Sequence, residues 1–147
     1  MNHPDLTQRP PRSPRVRLGG YVILPRALDK GRAALAGKNG EYHYACAMDQ
    51  RFLTFAGIDP AKLQEQLAQG KGDGEILAWI EENSTTKRQP WEIAQWSAYM
   101  EARTPGDTDT RQFFIKLSGE AGSTREDIHT FFDLLDLDDY VSFGGKA

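Results

Sequence analysis

Apolar positions in this chain recur at intervals of three, four and seven, and almost never at intervals of two. Leu24, Leu28 and Leu35 make one stripe at helical period, with Gly31 a small residue on the same side. Pro25 stands where a first helical turn tolerates a missing amide, and Gly37 and Gly40 end the segment. A second helix fits from about Ala45 to Ala56, with Ala45, Met48, Phe52 and Phe55 on one face and Gly57 closing it. Asp59 and Pro60 open a third that stops at Gly70, and Ile76, Leu77 and Ile80 stripe a fourth. Pro90 opens a longer one carrying Ile93, Trp96 and Met100, which the string TPGDTD interrupts. Phe113, Phe114 and Leu117 mark the next. Ser123 followed by Glu126 reads as a capping box for a last helix that buries Ile128, Phe131, Phe132 and Leu135, with Tyr140, Val141 and Phe143 docking behind it and the final glycines fraying.

This pattern predicts an all-α fold, a compact bundle of six or seven short helices forming a single domain over residues 21–147. Residues 1–20 form an extended arm, because Pro4, Pro10, Pro11 and Pro14 remove amide donors and disfavour helix before them. GEYHYA, from Gly40, is the one stretch able to pair as a strand.

Charge changes the picture. The net charge of −3 conceals +6 over residues 1–40 and −9 over the remainder. A basic arm ahead of an acidic body either seeks an outside anion or lies along its own carboxylates, and the second reading is preferred here. Exposed ion pairs contribute only about 0–1 kcal/mol each, so apolar residues must hold such an arm in place. The acidic body argues against nucleic acid as a partner. No apolar run crosses a bilayer, no secretory leader opens the chain, and one cysteine cannot form an internal disulfide. These features lead to the expectation of a soluble cytoplasmic protein.

The candidate chemistry concentrates in GEYHYACAMDQRF, Gly40 to Phe52. If residues 41–45 are extended, Glu41 and His43 share a side, opposite Tyr42 and Tyr44, and the carboxylate can orient the imidazole. Cys46 then falls in the first turn of the following helix, with Asp49 on its face, so Cys46, His43 and Glu41 make a candidate catalytic set. The competing reading is packing, since free cysteine is commonly buried and Tyr-His-Tyr beside a helix start fills space well. The spacing matches no standard zinc pattern, so no metal ligand set is assigned and no cofactor is indicated. In RPPRSPRVRLGGY, arginines on a proline-stiffened stretch precede a Gly-Gly pair able to approach an anion. This leads to a candidate ligand set of Arg15, Arg17, Arg26, His43, Tyr42, Tyr44 and Asp49 around a small anion. The tryptophans read as core or helix contacts, the acidic string DLLDLDDY as a solvated face, and His3 as part of a frayed terminus.

The strings PRSPRVRLGGYVILPRALDKGRAALAG, GEYHYACAMDQRFLTFAGID and GDGEILAWIEENS resemble a bacterial family catalogued as domain of unknown function 5069. The resemblance implies a small soluble bacterial domain and carries no assigned activity, so no residue role transfers from it. The leading expectation is a small-ligand or anion-binding helical module with its pocket between the arm's Arg/Gly segment and EYHYAC. Two other classes stay open: a small enzyme using Cys46 and His43, and a protein-interaction scaffold. A homo-oligomer is compatible with all three.

Overall fold

The computed structural model describes residues 3–122 and 125–147. Among them the chain forms seven helices: α1 (Leu24–Leu35), α2 (Ala47–Ala56), α3 (Pro60–Ala68), α4 (Asp73–Asn83), α5 (Pro90–Ala102), α6 (Thr108–Glu120) and α7 (Phe131–Ser142). The fold is all-α, and an isolated bridge between Leu18 and Tyr21 is the only β pairing among the described residues.

Local chemistry explains most boundaries. The Asp59 carboxylate accepts from the amides of Ala61 at 2.8 Å and Lys62 at 3.1 Å, capping α3 ahead of Pro60. Gly57 ends α2 in the left-handed region at φ 66°, and a β-carbon there would stand 2.3 Å from the Thr85 hydroxyl. Gly31 lets α1 meet its neighbours, since a β-carbon would lie 2.6 Å from Leu67 of α3 and 3.1 Å from the Tyr44 ring.

One core joins the Tyr21–Leu24 segment and Leu28 to Phe52, Leu63, Leu67, Ile76, Ile80, Met100 and Phe132. Around it Trp96 stacks on Phe55 with ring centroids 4.9 Å apart, and Tyr21 stands edge-on to Phe52. A smaller cluster of Phe114, Phe131 and Leu134 joins α6 to α7. Ser97, buried inside α5, donates to the Gly20 carbonyl at 2.6 Å and accepts from the Val22 amide at 3.2 Å, so the entry to α1 is pinned to α5.

The arm runs over the body. Leu6, Pro11 and Pro14 are buried, and the Leu6 amide donates to the Lys38 carbonyl at 2.8 Å. Three of its arginines pair with the chain's own carboxylates: Arg12 with Asp29 and Asp73, Arg15 with Asp133 and Asp136, and Arg17 with Glu101.

Several expectations are corrected. GEYHYA forms no strand: turns at Gly40–Glu41 and Tyr44–Ala45 enclose it, with Gly40 and Ala45 both at positive φ, while Glu41 and His43 are exposed and Tyr42 and Tyr44 half-buried. Cys46 caps α2 instead of entering its first turn. The last helix starts at Phe131, where the Thr130 hydroxyl accepts from the Asp133 amide at 3.1 Å; Glu126 is exposed, and Ser123 lies outside the described residues. The Phe131 amide also donates to the Arg103 carbonyl at 3.1 Å, which fixes the start against the end of α5. Phe113, Tyr140 and Trp91 are exposed, and Phe114 is the residue α6 buries. DLLDLDDY is not a solvated face, since Asp139 is buried.

Candidate functional site

Arg26 and Lys30 lie one turn apart on α1, which puts both side chains on one face, and each is only 4% exposed. A buried charge demands a partner. Arg26 finds Asp139 of α7, with Nη1 donating to Oδ2 at 2.7 Å and Nη2 to Oδ1 at 3.2 Å. The Tyr42 hydroxyl donates to the same Oδ1 at 2.8 Å, and the guanidinium carbon lies 5.5 Å from the Tyr42 ring centroid. Burial, and then the hydrogen bond to Asp139, push the Tyr42 phenol well above its ordinary range, so it remains a donor. Lys30 finds Asp49 at 2.9 Å and the Cys46 sulfur at 3.2 Å. Asp49 Oδ2 also accepts from the Ala45 amide at 3.0 Å, which the left-handed backbone at Ala45 (φ 58°) aims toward it. Asp49 Oδ1 is buried without a partner among the described residues.

The cations of these two pairs, Arg26 and Lys30, form the floor of a cavity of about 490 Å3. Leu6 and Thr7 of the arm make one edge, Gly40 to His43 and Cys46 a second, and Leu135, Asp138 and Phe143 the far wall. Met48 joins Leu6, Leu135 and Phe143 in giving it an apolar side. On the polar side His43 and Glu41 are exposed, and neither makes a hydrogen bond or ion pair within the described residues. Asp138 is likewise unpaired, and burial together with the neighbouring Asp139 carboxylate raises its carboxyl above the usual value.

The sequence-predicted residues are therefore divided. Glu41, Tyr42, His43, Cys46 and Arg26 share the cavity. Asp49 stands behind it as the partner of Lys30, and Tyr44 turns away to donate to the Pro60 carbonyl at 2.7 Å. Arg15 and Arg17 are held elsewhere, by Asp136 at 3.0 Å (with Asp133) and by Glu101 at 2.9 Å. No hydrogen bond joins His43 to Cys46 or to Glu41 among the described residues, so the thiol's neighbour is Lys30 rather than an imidazole. Nor do any three His, Cys, Asp or Glu side chains group as a metal site among those residues.

Sequence reasoning missed Lys30, Asp138 and Asp139. A usable signal was present for the first: Arg26 and Lys30 flank the stripe Leu24, Leu28 and Gly31, a place where unpaired cations do not persist. Asp138 and Asp139 carried none, since their partners lie far away in the chain.

Charge on the cavity follows from this pairing. The two floor cations are each balanced by a buried carboxylate, while Glu41 and Asp138 are left over. A bare inorganic anion gains little there. A molecule with an apolar body and groups of both signs matches more of the wall.

The sequence profile of Domain of unknown function (DUF5069) matches residues 8–141, nearly the whole length, and the chain belongs to that family. No curated protein matches it.

Proposed function

We propose that this DUF5069 member is a small-ligand-binding module whose cavity takes a small organic carboxylate with an apolar body and a donor group, an amino-acid-like zwitterion. The observation that carries the reading is an apolar wall of Leu6, Met48, Leu135 and Phe143 facing an unpaired His43, Glu41 and Asp138 across one recess. The ligand's carboxylate takes donors from His43 and the Lys30 ammonium, and its own donor group meets Glu41 and Asp138. The apolar body covers the wall, where each buried methylene contributes about 0.8 kcal/mol.

The test is thermal unfolding against a panel of apolar amino acids and short carboxylic acids. A ligand at 100 times its Kd adds about 2.7 kcal/mol of stability, and His43→Ala should remove most of that shift. A panel that stabilises neither protein refutes the reading.

The 3.2 Å contact between Lys30 and Cys46 favours a second reading, a reactive thiol opening onto the cavity. It predicts that iodoacetamide alkylates Cys46 in the folded protein. Alkylation only after denaturation rules it out.

A further inference from the structure

We propose that a second cavity, between the N-terminal arm and the turn joining α3 to α4, binds a small soluble phosphate monoester. It has a volume of about 340 Å3 and shares no lining residue with the first. His3 and Arg9 of the arm, Asp29 and Arg32 of α1, Lys71 of the turn between α3 and α4, and Asp73 at the start of α4 surround it.

Both carboxylates on this wall are already occupied. Asp29 accepts the Arg12 backbone amide at 2.9 Å and its Nη2 at 3.0 Å. Asp73 accepts Arg12 Nη1 at 2.7 Å through one oxygen and Arg32 Nη1 at 2.8 Å through the other. Burial alone raises the Asp73 carboxyl, but the bonds from Arg12 and Arg32 outweigh it and hold the group below the usual carboxylate range. Arg32 is further fixed by its Nη2 donating to the Lys71 carbonyl at 3.2 Å.

Two cations are left uncompensated on the same recess. The Arg9 guanidinium has no hydrogen bond or ion pair within the described residues, and the Lys71 ammonium donates only to the neutral side-chain oxygen of Gln66. His3 adds an Nδ1 that is buried without a partner among the described residues. Two unpaired positive charges, one a flat fork and one a point charge, suit a tetrahedral dianion. The recess also has room for the ester's small organic part. In the first cavity the surplus has the opposite sign, so the two recesses divide their ligands by charge.

Calorimetric titration at low salt with glycerol 3-phosphate, and separately with inorganic phosphate, tests this. Wild type should bind the ester saturably at one site. Arg9→Gln and Lys71→Gln should each weaken binding about tenfold, the loss of one charge-assisted contact, and the double variant should abolish it. R9K and K71R, which keep the charge, should retain binding, and His43→Ala should match wild type. Circular dichroism should show every variant folded, since among the described residues neither side chain makes a hydrogen bond or ion pair beyond Lys71 with Gln66. The proposal is overturned if neither probe gives saturable heat, if the glutamine variants bind as wild type does, or if only phosphatidate vesicles are bound.

Discussion

Replacing Asp139 by Asn removes one negative charge from a place where almost no water can compensate. The carboxylate is 6% exposed, its partner Arg26 4%, and its oxygens accept three hydrogen bonds, two from the guanidinium and one from Tyr42. Asparagine keeps the shape but presents an NH2 to one of those donors, so at least one contact becomes donor against donor. Breaking a buried pair by removing one partner costs about 3–5 kcal/mol. A domain of this length has roughly 7–20 kcal/mol of total stability, so the variant folds but is visibly weakened. At roughly 2–4 °C per kcal/mol, Tm falls by about 6–20 °C. Urea unfolding followed through the three tryptophans reads this directly. Arg26→Met with Asp139→Leu should recover part of the loss, because two apolar side chains leave no unpaired charge, while the Tyr42 hydroxyl loses its acceptor. A second readout is Asp138, whose carboxyl is raised by burial and by the Asp139 charge; in the Asn variant its NMR titration should move to lower pH. A loss below about 1 kcal/mol, with Asp138 unmoved, would refute the buried pairing of Arg26 with Asp139.

Other substitutions probe separate parts of the account. Gly57→Ala should cost at least about 2 kcal/mol in denaturant unfolding, from left-handed strain and from overlap with Thr85 and the Thr86 amide; a neutral result would mean this turn is not tightly packed. Asp73 binds its proton less tightly folded than unfolded, so it adds stability above the ordinary carboxylate range and loses that increment as pH falls through its folded value. Unfolding free energy below pH 4 should therefore fall less steeply in Asp73→Asn than in wild type, and identical slopes would contradict the assigned pairing with Arg12 and Arg32.

Legibility in the sequence tracked how local the deciding physics was. Asp59-Pro60 with Gly70 predicts α3 closely, because cap, first turn and stop all lie within the segment. The start of α7 was misplaced because Ser123-x-x-Glu126 and Thr130-x-x-Asp133 are equivalent strings, and a bond from Phe131 to Arg103 decides for the second. Phe113 and Phe114 are likewise equal candidates until packing against α7 selects Phe114. The candidate site was half readable. Residues 41–46 carry their chemistry in one short string and do line the cavity, Tyr44 and Ala45 apart. Its floor depends on Arg26 meeting Asp139, a pair 113 positions apart, which no local pattern announces. The arm lies along the chain's own carboxylates, as its charge suggests, but which carboxylate each arginine reaches is not local: Arg15 pairs with Asp136 and Arg17 with Glu101, which takes both away from the cavity.

The central claim is that the cavity beside His43 receives a ligand, and NMR of the His43 ring and the Met48 methyl tests it most directly. Titration with an apolar amino acid should shift both signals saturably, and Leu135→Trp, which fills the cavity between them, should abolish the shifts while the protein stays folded. Signals that no amino acid or small carboxylate moves, or shifts that persist with the cavity filled, would contradict it.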